Sequence, residues 1–263
     1  MSGIQNQLNN YWSSRAGAYH QAQQSTARSP FEQQLWAEVF SKALPFSTGT
    51  ILDAGCGSGF LSHLLAAAGH TVYGMDASPG MIDEARAEAN RQRELGFNHA
   101  EFFLDNAICP AWPARSFDAV TSRFLLWTLI DPVSALRNWA RLVKPGGVVV
   151  AADGLWFPHG IDPDIEVEST AGEDAFTRTY DAETMQRLPL GQKVGTEDYA
   201  AAFRTAGLEN IQVTPVESTR ELDAKFGLSK GHSPARQFTI SGVVTEAVHT
   251  PTNMPYDRAL FML

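Results

Sequence analysis

Three glycines alternate with other residues in Gly55-Cys56-Gly57-Ser58-Gly59. They follow an apolar run closed by an acid and an alanine, Ile51-Leu52-Asp53-Ala54, and lead straight into Phe60-Leu61. Glycines reach backbone angles closed to other residues and let a ligand lie against bare backbone. A helix beginning at Phe60 presents its unpaired N–H groups to the same loop. A second acid, Asp76, ends Val72-Tyr73-Gly74-Met75, 23 positions (76 − 53) after Asp53. That is close to the ~20-residue spacing at which an acid at a strand end meets ribose hydroxyls in a dinucleotide fold. A carboxylate suits the task because it accepts from both hydroxyls. Two features argue against a dinucleotide: the pattern is GxGxG rather than GxGxxG, and Asp53 would repel a pyrophosphate. The same carboxylate suits a ligand carrying a sulfonium and an ammonium. No GxxxxGK[ST] loop for a nucleoside triphosphate is present.

Other side chains could act on a second ligand. Arg123 follows the strand Ala119–Ser122, at the carboxyl edge where ligands bind in open α/β sheets; it is a candidate to orient substrate or cofactor, or a structural arginine. Phe124, Leu126 and Trp127 beside it are wall or core residues. Asp153 ends the next strand and His159 follows it in Trp156-Phe157-Pro158-His159-Gly160, so both are candidate bases. Trp127, Trp156, Tyr180 and, near the start, Tyr11 are candidate substrate contacts, and Tyr199 flanks the same region. Arg15 and His20 could contact either ligand or decorate a mobile helix. His63 and His70 read as surface residues. Cys56 reads as a small packing residue and Cys109 as an unpaired loop thiol.

The elements that must position these groups alternate. Strands are expected at Thr50–Ala54, Thr71–Met75, Ala100–Leu104, Ala119–Ser122, Val148–Ala152, Ile211–Val216 and Gln237–Val244. Helices are expected from Ser29-Pro30 to about Leu44, with Ser29 as cap and Glu32 closing a capping box. Others run over Phe60–Ala68, from Ser78-Pro79 past Ala89, from Asp131-Pro132 to a turn at Lys144-Pro145-Gly146-Gly147, and over Thr196–Ala206 with Thr196 as cap and Gly207 as stop. Strand–helix alternation demands right-handed crossovers and a mostly parallel sheet covered on both faces. Gly154–Gly195 breaks the rhythm, and a stretch that long reads as a lid or substrate cap.

The chain has 263 residues, 44% of them apolar, which is enough for one substantial core. A formal charge of −9 disfavours nucleic acid and anionic lipid. Two unrelated cysteines form no disulfide framework or zinc spacing, and no metal is expected. No apolar signal core or membrane-length run is seen, so a cytoplasmic location is expected.

Asp53-Ala54-Gly55-Cys56-Gly57-Ser58-Gly59 and Asp76 resemble the first motif and ribose-binding acid of the class I S-adenosylmethionine (SAM)-dependent methyltransferases, particularly the group around ubiquinone and menaquinone biosynthesis. Leu104-Asp105-Asn106-Ala107, ahead of Ser116-Phe117-Asp118-Ala119-Val120, is similar to the family's adenine-contacting segment, with Asn106 where that family carries an acid. An amide oxygen can still accept from an adenine amino group. Leu142-Val143-Lys144-Pro145-Gly146-Gly147 resembles its late structural turn, and Tyr11-Trp12 to Tyr19 its opening stretch. The resemblance implies a seven-stranded Rossmann-like α/β fold with an N-terminal helical lid (1–48), a cofactor core (49–153), an inserted cap (154–195) and a C-terminal part of the sheet (196–263). It implies a SAM site of Tyr19, Asp53, Ala54, Gly55, Gly57, Gly59, Asp76, Ala77, Met81, Asn106, Ala107 and Arg123, with S-adenosylhomocysteine (SAH) as product. The expected reaction is methyl transfer to an O, N or C atom of a small metabolite, aromatic or heterocyclic, by a monomer or homodimer. The candidate catalytic groups are His159, Asp153 and Arg123. Two rival readings are a non-catalytic SAM-binding regulator or partner, and a methyltransferase acting on a protein.

Overall fold

The computed structural model describes residues 3–24, 27–161, 174–228 and 235–249. Twelve positions of the expected cap (162–173) and the tail from 250, including its apolar end Leu260-Phe261-Met262-Leu263, lie outside the described residues. Seven strands form one sheet: β1 Thr50–Ala54, β2 Thr71–Asp76, β3 Glu101–Leu104, β4 Phe117–Arg123, β5 Val143–Leu155, β6 Glu209–Pro215 and β7 Arg236–Val243. Their order is β3-β2-β1-β4-β5-β7-β6. β1 to β5 pair in parallel, whereas β7 runs antiparallel to both β5 and β6.

The helices are α1 Gly3–Gln24, α2 Ser29–Ala43, α3 Phe60–Ala67, α4 Pro79–Glu94, α5 Pro132–Leu142, α6 Ala175–Thr179, α7 Ala182–Gln186, α8 Glu197–Thr205 and α9 Ser218–Phe226. Two apolar layers cover the sheet. One packs Trp36 and Phe40 of α2, Leu61 and Leu65 of α3 and Ile82 of α4 against Ile51, Val72 and Val150. The other packs Leu136 and Trp139 of α5 and Tyr199 and Phe203 of α8 against Leu52, Val120 and Ile240. This double covering explains why the central strands read as continuous apolar runs rather than alternating ones. A third cluster joins Leu8 and Tyr11 of α1 to Trp127, Phe176, Tyr180 and Met185.

Several local expectations are corrected. Ser29 is the first residue of α2 and the N-cap is Arg28, with no side-chain cap bond; Pro30 falls in the first turn, which it fits without a donor. Thr196 is the N-cap of α8 by position but makes no side-chain cap bond. Asp131 caps α5 as its sequence suggests, accepting from Ser134 N at 2.9 Å. Lys144-Pro145-Gly146-Gly147 is the irregular opening of β5 rather than a free turn: Gly146 has φ +83°, and a Cβ on Gly147 would stand 2.3 Å from the Asp118 carbonyl oxygen. His63 and His70 are buried, not on the surface. His63 packs against Phe102 at 5.2 Å between centroids, and burial pushes its pKa down to about 4. His70 sits edge-on to Phe46.

Candidate cofactor and acceptor site

Every parallel strand that feeds the site ends at one edge of the sheet, and the glycine loop turns there. Gly55, Gly57 and Gly59 have φ of +65°, +55° and +89°, conformations that glycine adopts without penalty. The three serve different ends. A Cβ on Gly55 would meet Leu125 Cδ2 at 2.6 Å, and one on Gly59 would meet His63 Nε2 at 2.8 Å and Phe102 Cζ at 2.9 Å. A Cβ on Gly57 would instead stand 3.9 Å from Met81 Sδ and 4.0 Å from Tyr19 Cε1, across open space.

That space is a cavity of about 100 Å³. One half is lined by Tyr19, Gly55, Gly57, Asp76, Ala77, Met81, Asn106, Ala107 and Arg123, nine of the positions singled out in the sequence. Asp76 ends β2 with Oδ2 accepting from Gly57 N at 2.9 Å and Oδ1 from Ser78 N at 2.8 Å. The Ser78 hydroxyl and the Ala77 N–H also act on this carboxylate and favour its charged form. Burial raises the Asp76 pKa, and the backbone N–H bonds oppose the rise. Asn106 differs from expectation: its Oδ1 already accepts from Ile108 N at 2.9 Å, which leaves one lone pair and the amide NH2. Asp105 is a turn residue, accepting from Asn106 N and Ala111 N.

Asp53 lies in an adjoining pocket of about 30 Å³ with Tyr19, Gln23, Gly57 and Arg123. It is 1% exposed and accepts from Ser62 Oγ at 2.6 Å and Thr121 Oγ1 at 3.2 Å. Burial outweighs those bonds and lifts its pKa to about 7. Cys56 is buried, with its thiol pKa pushed well up by burial, as befits packing rather than nucleophilic work.

Of the residues lining the other half of the cavity, the sequence marks Trp12, in the opening stretch, and Phe124, as wall or core, and passes over the rest. This half consists of Gln5, Leu8, Asn9 and Trp12 on α1, with Phe124, Leu125, Thr128 and Leu129 after β4. The signal lies in the spacing: Leu8, Trp12 and Tyr19 fall on one side of a helix, as do Gln5 and Asn9. α1 is seated on α4, where Gly80 N donates to Ser13 Oγ at 2.9 Å. Its backbone comes so close that a Cβ on Gly80 would be 2.4 Å from the Ser13 carbonyl oxygen. Phe124 has φ +61°, an outlier for a bulky residue, and outliers of this kind gather at functional sites. The turn it makes brings Leu125 onto Gly55 and the Phe124 ring onto Arg123, 4.4 Å away. The Arg123 guanidinium also lies 4.2 Å from the Phe60 ring and 5.4 Å from that of Trp36.

The remaining sequence candidates stand elsewhere. Ala54 is fully buried and Gly59 is a packing position; neither lines the cavity. Asp153 is fully buried and serves as a strut, accepting from Trp127 N, Gly154 N and Trp156 Nε1. His159 is exposed and lines neither pocket. Tyr11 is buried in the third cluster and borders a separate open groove. Trp156 packs edge-on behind Phe124. Trp127 and Tyr180 stack at 5.0 Å behind the wall. Tyr180 nonetheless reaches the site indirectly: its hydroxyl accepts from Trp12 Nε1 at 2.8 Å and pairs with Thr128 Oγ1 at 2.8 Å, tying two lining residues together.

Residues 52–151 match the family described as a methyltransferase domain. Aklanonic acid methyltransferase DauC of Streptomyces sp. (strain C5) is 37% identical over 129 residues, covering 48% of this chain and 57% of DauC. A demethylmenaquinone methyltransferase of Clavibacter sepedonicus is 35% identical over 130 residues, covering 49% of this chain and 51% of that protein. The chain thus spans about half the length of these curated relatives. Among solved structures, the geranyl diphosphate C-methyltransferase of Streptomyces coelicolor A3(2), in complex with Mg2+, geranyl diphosphate and SAH, superposes with a TM-score of 0.57 at 18% identity, over 81% of this chain and 79% of that one.

Proposed function

We propose that the protein, whose residues 52–151 match the methyltransferase-domain family, is a class I SAM-dependent methyltransferase that transfers a methyl group to a small molecule held beneath α1. The observation that carries the reading is the juxtaposition of a Gly57 backbone facing open space with the Asp76 carboxylate at the wall of the same cavity. Asp76 would hold the ribose hydroxyls, and the Gly55–Gly57 backbone would lie along the ligand. Ala77, Met81, Asn106 and Ala107 would flank the adenine. The open space beside Gly57 is the cradle that such a ligand needs, since even a methyl group there would intrude. SAM supplies an already activated methyl on a sulfonium, so no metal is required of the protein.

The chain's own work is then orientation and exclusion of water. Leu8, Trp12, Phe124 and Leu129 make the acceptor half apolar, while Gln5, Asn9 and Thr128 supply neutral hydrogen-bonding groups. Correct placement of two reactants accounts for about 7–11 kcal/mol of barrier in favourable cases. The α1 roof favours a small acceptor over a protein side chain, because a macromolecule would have to displace the helix from α4. Calorimetric titration with SAM and SAH tests the central claim. Micromolar binding by wild type that weakens at least tenfold in Asp76→Ala supports it, since a lost charge-assisted hydrogen bond is worth about 1.5–3 kcal/mol. No binding by wild type overturns it.

A further inference from the structure

Three hydrogen-bonding side chains cross the seam between α1 and the turn after β4, and their chemistry gives the chain a direction. An indole N–H has a proton to give and no lone pair to offer, so Trp12 Nε1 donates to the Tyr180 hydroxyl at 2.8 Å. The Tyr180 and Thr128 hydroxyls stand 2.8 Å apart, and by distance alone either could donate. Burial raises the Tyr180 pKa, so the phenol keeps its one proton. Among the described residues, that hydroxyl has Trp12 and Thr128 as its hydrogen-bond partners. If Thr128 donated, the phenol would accept twice and its own proton would be stranded on a residue 1% exposed. If the phenol donates, the proton left over belongs to Thr128, which lines the main cavity. A buried donor without a partner carries its whole desolvation penalty, so the leftover proton belongs where a ligand can take it.

The threonine is also held still. It closes a single 3₁₀ turn, Leu126–Thr128, whose backbone is tied by Thr128 N donating to the Leu125 carbonyl and Trp127 N donating to Asp153 Oδ2, each at 3.1 Å. Leu8, Trp12, Phe124 and Leu129 give the same half of the cavity its apolar walls. In such surroundings one fixed donor discriminates well, because a ligand without an acceptor atom leaves it unpaired and away from water. A group that offers only protons, such as an ammonium, would leave it unpaired too.

We infer that Thr128 is the hydrogen-bond donor that recognises the methyl acceptor, and that the group it binds is a carbonyl oxygen, as in a ketone, aldehyde or ester. This rests on the function proposed above and names the substrate class for it. Tyr180 is a positioning residue that acts through Thr128: its proton occupies a threonine lone pair and leaves the threonine proton for the ligand. Trp12 completes the series by donating to Tyr180, and each bond in such a row polarises the next.

The test uses the full chain saturated with SAH and two probes of one shape, acetophenone and α-methylstyrene, which differ by a carbonyl oxygen in place of a methylene. Thr128→Val removes the hydroxyl at nearly constant volume. It should weaken acetophenone about fivefold, the worth of one hydrogen bond, and leave α-methylstyrene bound as well or better. Thr128→Ser should restore acetophenone, and SAH affinity should hold in both variants. A second readout needs no variant: the carbonyl carbon of bound 13C-labelled acetophenone should resonate well downfield of its position in cyclohexane. Tyr180→Phe tests the direction, and acetophenone affinity there should hold or fall. The inference is overturned if Thr128→Val affects both probes alike or neither, if serine does not restore binding, or if the bound carbonyl resonates as in cyclohexane. It is equally overturned if acetophenone does not bind the SAH complex, or if its affinity rises in Tyr180→Phe, because the threonine would then have been donating to the tyrosine. Wild-type protein that binds no SAH removes the proposed function and this inference together, whereas SAH binding with any of those failures removes this inference alone.

Discussion

Replacing Tyr180 by phenylalanine isolates one oxygen atom on which the roof of the site depends. The hydroxyl accepts from Trp12 Nε1 and pairs with Thr128 Oγ1, each at 2.8 Å, while the ring remains 1% exposed and stacked on Trp127. Tyr180→Phe keeps the ring packing and deletes the junction. Thr128 is buried and its hydroxyl loses its partner; Trp12 is half-buried, so water recovers part of its loss. A stranded buried polar group costs about 1–3 kcal/mol and a partly hydrated one less, giving a sum of about 2 kcal/mol. For a chain of this size that lowers Tm by about 4–8 °C. Scanning calorimetry of Tyr180→Phe, Trp12→Phe and the double variant measures it, with a coupling of about 1 kcal/mol expected between the two sites. SAH affinity should change little, because the part of α1 near the glycine loop is held separately by Ser13 on Gly80. A Tm within about 1 °C of wild type, or additive losses with no coupling, would refute the latch.

Three other perturbations probe the remaining parts. Gly57→Ala should fold at a cost of about 1–2 kcal/mol for its left-handed backbone, yet lose SAH binding at least tenfold, because the new methyl enters the space facing Met81 and Tyr19; calorimetric affinity equal to wild type would contradict the assignment. Gly80→Ala should push α1 off α4, since nothing can yield when the obstructing atom is a backbone oxygen at 2.4 Å; faster proteolysis within 3–24 and red-shifted tryptophan emission are expected, at about 1–3 kcal/mol of overpacking. For Asp53, the folded pKa of about 7 lies above the ordinary 3.8. The ligand-free folded state therefore binds more protons than the unfolded one across that window, and stability falls as pH rises through it. Binding of a cationic ligand needs the carboxylate, so SAM affinity should drop by up to tenfold per unit as pH falls below about 7; a flat affinity between about pH 5.5 and 8 would exclude the pairing.

Residues whose role is set by their immediate neighbours are legible in the sequence alone. β1 has the boundaries its sequence suggests, and Asp131 caps α5, because apolar runs and capping acids act within a few positions. The glycine loop and Asp76 are legible for the same reason. Relationships across long separations are hidden. His63 and His70 look like surface residues because a histidine on a short helix or in the loop after it carries no local sign of the aromatic ring, Phe102 or Phe46, that will cover it. Asp153 looks like a base at a strand end, yet its three N–H donors come from its own turn and from Trp127, 26 residues upstream. The wall that α1 contributes to the cavity is obscured because the polar Gln5 and Asn9 line it beside Leu8 and Trp12 and interrupt any clean apolar stripe. A helix that buries one side against α4 and turns another toward a ligand has no simple period to find.

The seating of Ser13 on Gly80 has a consequence for turnover. It pins α1 near its middle, so the helix has two arms about a fixed point rather than one hinged flap. The arm carrying Gln5, Leu8, Asn9 and Trp12 covers the acceptor half; the arm carrying Tyr19 and Gln23 covers the glycine loop, where Gln23 Oε1 accepts from Ser58 Oγ at 3.3 Å. On the function proposed above, release of the Trp12–Tyr180 latch would free the first arm while the second, held by Gln23 on Ser58, stayed down, so acceptor exchange and cofactor exchange would be governed by different contacts.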